Sequence, residues 1–492
     1  MKRALRVIGV LLLGLVVVLL GRTATFDPIP QPIPPAPTVT VDTSSAAARL
    51  AGAIRIPTIS HQDPARIDED AFLGLHAYLE RSFPDAHRVL GREVVNDLSL
   101  LYTWRGSEPE LPAVLFMAHL DVVPVAPGTM DDWVHPAFSG AIADGYIWGR
   151  GTLDVKSGVV GLLEAAELLV DAGFAPRRTI YFAFGHDEEV GGKAGAQVIA
   201  KKLEADGVKL DMVLDEGGAI VSGVVPGVKE PIAMVGIAEK GYVSLSLTVK
   251  GKGGHSSMPP EHTAIGVLSS AVKRLEDQPF EPTLKYSGRF FRYVAPKMPF
   301  LNRIPFANLW LFAPVITSVL SSKPPMSASI RTTTAVTMIE GGVKANVLPT
   351  EARAIVNFRI YPGETVQTVK AAVIEKVADE RVQVELLSEG ESFGNDPSPT
   401  SDIDGPAFAL IERSVLSVAQ TEGLVVAPYL VVGATDSRYF TGLSKNVYRF
   451  LFNRMEAEDL ARVHGTNERV RVEDYAKTVM FYHEVLRGTD SL

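Results

Sequence analysis

The chain has 492 residues, 46% of them apolar and 21% charged, so it is long enough for two folded units and its composition excludes a disordered protein. Its net charge of −9 excludes broad binding to nucleic-acid phosphates, and we expect no nucleic-acid partner. The sequence has no cysteine, so any transition-metal site must use histidine and carboxylate ligands.

The N-terminus has the pattern of an export signal. Lys2, Arg3 and Arg6 precede an uncharged apolar run at residues 7–21. The run is shorter than the roughly 20 residues of a membrane helix, and no clear cleavage site follows it. Residues 1–26 are therefore interpreted either as a cleaved signal peptide or as an uncleaved signal anchor. We expect an exported protein, either periplasmic or secreted, or anchored to the membrane by this segment.

Residues 27–43 follow as a linker with six prolines. A proline-rich segment of this kind is extended and semi-rigid. We therefore predict that it lies outside the fold.

Helices and strands then alternate along the chain. The apolar spacing predicts helices at residues 44–56, 68–83, 155–172 and 195–205, and strands at 99–104, 113–118, 178–184 and 211–214. Such alternation indicates an α/β fold with a doubly wound, mostly parallel sheet. We assign this domain to residues 44–238 and 388–492.

Residues 239–387 have a different pattern. Strands with alternating apolar residues are predicted at 242–250, 335–340 and 351–360, and helices at 263–275 and 366–377. They predict an α+β domain inserted into the first. An apolar stretch at residues 286–327 has two interpretations, which are additional core for the insert and an apolar wall for a lipophilic substrate.

Histidine and carboxylate side chains cluster where predicted strands end. They are His119, Asp121, Asp154, Glu188, Glu189 and Asp215. In open α/β sheets, ligands bind outside the carboxyl ends of the strands. So many carboxylates at one edge repel each other unless a cation neutralises them. A divalent ion with nitrogen and oxygen ligands fits, and two ions fit better than one.

Five separated motifs, occurring in order, carry a specific resemblance. They are His119-Leu120-Asp121-Val122-Val123-Pro124, Trp148-Gly149-Arg150-Gly151-Thr152-Leu153-Asp154, His186-Asp187-Glu188-Glu189, Asp215-Glu216-Gly217 and Gly254-His255-Ser256-Ser257. With them the chain resembles family 20 of the di-zinc metallopeptidases, which includes aminoacylase, carboxypeptidase S and carboxypeptidase G. It is most similar to the carboxypeptidase S branch with its secreted N-acyl-amino-acid amidohydrolases. The resemblance extends from about residue 48 to the C-terminus.

The resemblance implies two Zn²⁺ ions per subunit. Asp154 would bridge them, His119 and Asp215 would complete one ion, and Glu189 and His464 would complete the other.

It also implies three catalytic residues. Asp121 would lie behind His119 and fix its tautomer, and Glu188 would be the general base. The resemblance also makes residues 44–238 and 388–492 the catalytic domain and the insert a lid. His255, on the insert, would polarise the scissile carbonyl, and in the family such a histidine often acts across a dimer interface, so a homodimer through the lid domain is expected.

Two further positions, Asn346 and Arg359, match residues that hold the substrate's carboxylate or carbonyl. Arg438, in a motif typical of this branch, is a second candidate for the carboxylate. The implied enzyme is a zinc-dependent amidohydrolase that cleaves, and in reverse forms, the amide bond of N-acyl and above all N-fatty-acyl amino acids. One alternative is a carboxypeptidase or dipeptidase acting on small peptides. Another is a non-catalytic binding protein on the same fold, against which the complete ligand set and Glu188 argue.

Overall fold

The computed structural model describes residues 1–387 and 394–492. Its α-helices are α1 (Lys2–Ala24), α2 (Thr43–Ile54), α3 (Glu69–Ser82), α4 (Pro84–Val89), α5 (Lys156–Asp171), α6 (Ala196–Ala205), α7 (Ala264–Asp277), α8 (Lys285–Val294), α9 (Phe300–Ala307), α10 (Leu309–Ser321), α11 (Pro324–Ala328), α12 (Val366–Val377), α13 (Pro406–Ala419) and α14 (Val472–Gly488).

The first strands are β1 (Gly91–Val95), β2 (Ser99–Trp104), β3 (Ala113–His119), β4 (Ala141–Ala143), β5 (Tyr146–Trp148), β6 (Ile180–Gly185), β7 (Leu210–Asp215), β8 (Ile220–Val221), β9 (Ile232–Glu239) and β10 (Gly241–Lys250). They are followed by β11 (Gly254–His255), β12 (Thr333–Gly341), β13 (Val347–Leu348), β14 (Glu351–Ile360), β15 (Val382–Leu386), β16 (Val425–Val431), β17 (Val447–Arg449), β18 (Arg454–Met455) and β19 (Arg469–Arg471).

A ten-stranded sheet with the order β1-β2-β6-β3-β7-β17-β9-β8-β18 organises the larger part of the chain, and β16 pairs with β9. Strands β6, β3, β7 and β17 run parallel at its centre. All seven residues of β3 are buried, because helices cover both faces of a parallel sheet. The predicted α/β fold with a mostly parallel sheet is confirmed.

Two separate cores lie against the two faces of this sheet. Helices α2, α5, α13 and α14 contribute Leu50, Leu162 and Val479 to the larger core. Helix α6 packs Ile199 and Leu203 against the opposite face. The sheet is thus covered on both sides, and its strand ends are the open edge at which polar side chains collect.

The second sheet is antiparallel, with the order β12-β14-β10-β15. Helices α7 and α12 cover it and form a core of their own with Leu245, Leu247 and Val356. The predicted insert at residues 239–387 stays a prediction, and this separate core supports it. Its predicted end adjoins residues 388–393, where the second catalytic segment was expected to begin; these residues lie outside the described part of the chain.

The apolar stretch at residues 286–327 forms helices α8 to α11, and it is not additional core for the insert. Tyr286, Val294 and Met298 join the core of the large sheet instead, since α8 packs along β16. Ile316 and Leu320 belong to a small cluster of their own. The expectation of additional core for the insert was wrong, because the apolar content of these helices does not specify which sheet they cover.

The proline-rich segment forms no helix or strand, and it lies on the fold and not outside it as predicted. The Gln31 amide donates to the Glu412 carboxylate at 2.6 Å and to the Val426 carbonyl at 2.8 Å, and the Val426 N–H donates back at 3.0 Å. The Pro35 carbonyl accepts a hydrogen bond from Ser417. The Gln31 side chain thus pairs with α13 and β16, and the Pro35 carbonyl pairs with α13, so polar groups of the segment are satisfied on the fold.

Helix α1 is the one helix among the described residues that is long and apolar enough by itself to cross a membrane. Its 23 residues extend well beyond the apolar run noted in the sequence. The C-terminal end of α1 packs on α9, where the Asn308 amide donates to the Leu19 carbonyl and to the Thr23 hydroxyl, both at 3.3 Å.

Candidate active site

Asp154 lies between two histidines at the carboxyl edge of the large sheet. Its Oδ1 is 3.0 Å from Nε2 of His119, the last residue of β3, and its Oδ2 is 2.9 Å from Nε2 of His464. The same His464 nitrogen is 3.1 Å from Glu189 Oε2. Two groups of three potential ligand atoms result, each within 4.8 Å: His119, Asp154 and Glu216, and Asp154, Glu189 and His464.

The donor set of these groups fits divalent cations. Ligand atoms about 2.0–2.2 Å from one zinc ion lie roughly 3–3.5 Å from each other. The histidine nitrogens lie 2.9–3.1 Å from the oxygens of Asp154 and Glu189, close to this separation. Glu189 Oε1 is buried and has no hydrogen-bond partner among the described residues. Burial raises the pKa of Glu216 well above its usual value, and the charges of Asp154 and Asp215 add to this. A bound cation would offset the repulsion between these carboxylates and would give Glu189 Oε1 a partner.

Asp215 was expected in this cluster, whereas the group of potential ligands contains its neighbour Glu216. The Asp215 carboxylate accepts the backbone N–H of Glu216 at its Oδ1 and that of Ser437 at its Oδ2, both at 2.9 Å. It therefore anchors the loop after β16. At the end of a strand, neighbouring side chains point in opposite directions, so only one of this pair can face Asp154.

Asp121 connects His119 to the turn that carries the two glutamates. Its Oδ1 and Oδ2 accept the backbone N–H groups of Glu188 and Glu189, both at 3.1 Å. The His119 Nδ1 lies 3.0 Å from the Asp121 carbonyl and 3.3 Å from its Oδ1. One carboxylate thus orients both the imidazole and the turn at Glu188–Val190.

Glu188 lies beside the cluster without belonging to either group of potential ligands. Burial raises its pKa well above the ordinary value; the positive charge of His119 opposes this shift, while Asp436 and Glu216 strengthen it. A carboxyl group with a raised pKa can both take up and release a proton near neutral pH.

Glu468 is a site residue that sequence reasoning missed. Its Oε1 accepts the backbone N–H groups of Gly151, Leu153 and Asp154 at 3.0, 2.7 and 3.2 Å. Its Oε2 is 2.6 Å from the guanidinium of Arg150, and both side chains are buried. Glu468 therefore holds the loop that carries Asp154. In the sequence, its position four residues after His464 could have indicated that it lies near the site.

Arg150 holds the second histidine loop from the same position. Its Nη2 donates to the carbonyls of His464 and Gly465, both at 3.0 Å. His464 has a left-handed backbone with φ of 60°, which non-glycine residues adopt only where their surroundings enforce it. Hydrogen bonds from His464 to Asp154 and Glu189 raise its pKa to about 10.

Arg438 and Arg359, the two arginines predicted to bind substrate, differ in how many of their guanidinium groups' hydrogen bonds are already made within the protein. Arg438 donates to the carbonyls of Thr435 at 2.9 Å and Gly191 at 2.6 Å, which commits most of its guanidinium. The Arg359 guanidinium stacks 4.9 Å from the Tyr242 ring centroid, and no carboxylate in the described part of the chain pairs with it. Burial lowers the pKa of Arg359, and the nearby charge of Arg438 adds to this.

The structure brings His255 and Asn346 together, but not into the metal cluster. Strands β11 and β13 pair, and the Ser256 N–H donates to the Asn346 carbonyl at 3.2 Å. The His255 imidazole is exposed, and its Nδ1 lies 2.8 Å from the Ser257 hydroxyl. Both residues belong to the predicted lid.

The chain is similar to known proteins over most of its length. Residues 115–488 match the pattern of Peptidase family M20/M25/M40. The probable carboxypeptidase S-like 2 of Dictyostelium discoideum is 41% identical, over 90% of this chain and 85% of that protein. The N-fatty-acyl-amino acid synthase/hydrolase PM20D1 of Xenopus tropicalis is 42% identical, over 90% of this chain and 85% of that protein.

A solved structure is similar in fold. The M20 family metallo-carboxypeptidase Sso-CP2 from Sulfolobus solfataricus superposes with a TM-score of 0.65, covering 92% of this chain and all of that one at 18% identity. At that identity the similarity concerns the fold alone.

Proposed function

The chain belongs to Peptidase family M20/M25/M40, and on that basis we propose that it is a zinc-dependent amidohydrolase of N-fatty-acyl amino acids. The observation that carries the proposal is the position of Asp154, which is shared by two groups of histidine and carboxylate ligands beside Glu188. It would cleave the amide bond, and with abundant fatty acid and amino acid it would form that bond.

Two Zn²⁺ ions per subunit would be held by the two groups. His119, Asp154 and Glu216 would hold one, and Asp154, Glu189 and His464 would hold the other. When bound, zinc polarises a carbonyl and makes a water molecule acidic near neutral pH.

Glu188 would move the proton. It accepts one from the attacking water while a C–O bond forms, and it delivers that proton to the amide nitrogen as the C–N bond breaks. The products are a free fatty acid and a free amino acid. Asp121 keeps Glu188 in place through the backbone of the turn, and it keeps His119 in the tautomer whose Nε2 faces Asp154.

Arg359 is the proposed partner of the substrate carboxylate, since its guanidinium has no ion-pair partner among the described residues and the charge of Arg438 is close enough to lower its pKa. Arg438 would instead support the turn after Glu188 through Gly191. His255 and Asn346 would approach the scissile carbonyl from the lid. Their exposure and adjacency support that role, which requires the lid, or the lid of a second subunit, to close over the site.

The acyl preference is supported by the similarity to the N-fatty-acyl-amino acid synthase/hydrolase, whereas the carboxypeptidase S-like relative supports the peptidase alternative. Initial rates with N-oleoyl-phenylalanine, N-acetyl-methionine and the dipeptide Gly-Leu separate the two. We expect the highest kcat/KM for the oleoyl substrate. A higher kcat/KM for Gly-Leu would replace this proposal with a dipeptidase.

The protein would act outside the cytoplasm, as a secreted or periplasmic enzyme or one anchored through α1. The length and apolar character of α1 support either export or anchoring. Immunoblots of membrane and soluble fractions, with the N-terminal sequence of the mature protein, distinguish a cleaved signal from an anchor.

A further inference from the structure

Helices α9 and α10 meet at an angle of 105°, and we call residues 300–321 the apolar elbow. Four large side chains on it are more exposed than apolar residues of a folded protein usually are: Leu301 at 73%, Trp310 at 59%, Val315 at 57% and Val319 at 56%. Val315 and Val319 are four residues apart and lie on one face of α10. Trp310 lies on a different side of α10, so exposed apolar side chains occupy both helices of the elbow and more than one side of α10. Several such side chains in one short segment indicate an interaction site.

The elbow lies in a strongly basic part of an acidic protein. Residues 282–339 contain no aspartate or glutamate and seven basic residues, which are Lys285, Arg289, Arg292, Lys297, Arg303, Lys323 and Arg331. Lys285, Arg289, Arg292 and Lys323 are exposed. The whole chain has a net charge of −9, so this local charge is complementary to an anionic surface. A second copy of the elbow would bring like charges together and is disfavoured as a partner.

The elbow is joined to the helix that can span a membrane. At its bend, Asn308 donates hydrogen bonds to the C-terminal end of α1, and Arg22 Nε donates to the Ala307 carbonyl at 3.4 Å. A cleft of about 480 Å³ lies at this junction, with Arg22 and Arg292 beside Phe291 and Trp310. Cationic groups next to aromatic rings suit the headgroup region, where phosphates meet the first methylenes of the lipid chains.

From these observations we infer that the apolar elbow docks onto an anionic phospholipid bilayer. Leu301, Trp310, Val315 and Val319 enter the interfacial region, and the basic side chains face the lipid phosphates. Helix α8 carries this contact to β16 of the large sheet, so docking holds the active-site unit at the bilayer surface. The inference concerns membrane contact and does not depend on the reaction.

Trp310 makes the contact measurable. Of the four tryptophans, Trp104, Trp133 and Trp148 are buried and Trp310 is exposed. The full chain is reconstituted in vesicles of phosphatidylcholine and phosphatidylglycerol that carry a nitroxide lipid labelled near the headgroup. We expect the emission of Trp310 to be shifted to the blue. The lipid nitroxide should quench this emission, and acrylamide in the aqueous phase should not. The Trp310→Phe variant should lose this signal, which assigns it.

The double variant Val315→Asp/Val319→Asp keeps α1 but removes the apolar face of α10. Quenching of its Trp310 fluorescence by the lipid nitroxide should therefore fall at least threefold. The matched control is Leu73→Asp, at an exposed apolar position on α3. Circular dichroism and hydrolysis of N-acetyl-methionine check that both variants fold. Docking is refuted if Trp310 in vesicles stays accessible to acrylamide, or if the double variant is quenched like the wild type. If the protection of Trp310 from acrylamide depends on protein concentration and not on lipid, the elbow self-associates, and docking onto the bilayer is again refuted.

Discussion

Two neighbouring carboxylates at the end of β7 have different partners. Asp215 accepts two backbone N–H groups, and Glu216 joins His119 and Asp154. The Glu216→Gln variant should therefore lose about one of two zinc ions per chain, as measured by mass spectrometry of the metal content after dialysis.

The matched variant Asp215→Asn should keep its zinc and lose stability. A side chain that accepts two buried backbone N–H groups contributes about 1–3 kcal/mol to the free energy of unfolding, which urea denaturation measures. Loss of zinc from Asp215→Asn, with full zinc in Glu216→Gln, would return the ligand role to Asp215.

The motif Asp215-Glu216-Gly217 located the site but did not tell which carboxylate faces the cation. Which carboxylate faces the cation depends on Ser437, whose backbone N–H hydrogen-bonds to Asp215. Ser437 is more than 200 residues away in the sequence. The structure brings His119, Asp154, Glu189 and His464 together as expected, since each follows a recognisable strand or loop motif.

Arg359 should distinguish substrates with a free carboxylate from those without one. In the Arg359→Met variant we expect kcat/KM for N-oleoyl-phenylalanine to fall about 10- to 100-fold, mainly through KM, because one charge-assisted interaction is lost. N-oleoyl-phenylalaninamide lacks the carboxylate and should be affected little. An equal loss for both substrates would assign Arg359 a structural role.

The proline-rich segment is an integral element of the fold. Gln31 makes three hydrogen bonds to Glu412 and Val426, so the Gln31→Ala variant should lose about 1–3 kcal/mol in the free energy of unfolding. Urea denaturation measures the change, with Gln62→Ala at an exposed loop position as control. A stability equal to that of the control would mean that the segment is detached in solution.

Element boundaries were predictable where apolar periodicity was strong. The strand at residues 351–360 and the helix at 366–377 coincide with β14 and α12, and α5 begins and ends within one residue of the prediction. The placement of the proline-rich segment and of α8 was not predictable. Both depend on tertiary contacts with α13 and β16, and no local pattern encodes these partners.

The whole molecule is expected to be a dimer through the insert. Strand β12 is the edge of the second sheet and exposes Met338 and Ile339. An unprotected apolar edge favours pairing with another copy. Sedimentation velocity, corrected for bound detergent, should show a dimer for the wild type and for the control Met130→Lys, and a monomer for Ile339→Lys. A wild-type monomer would leave His255 without a partner subunit.

The most direct test of the central claim is metal-dependent hydrolysis of N-oleoyl-phenylalanine by the full chain. We predict no activity after treatment with a chelator, and recovery that saturates at two zinc ions per chain. The Glu188→Gln variant should bind the same zinc with kcat lower by about 10²- to 10⁴-fold, because the proton acceptor is lost. Undiminished hydrolysis by the chelated protein, or by zinc-loaded Glu188→Gln, would contradict the account.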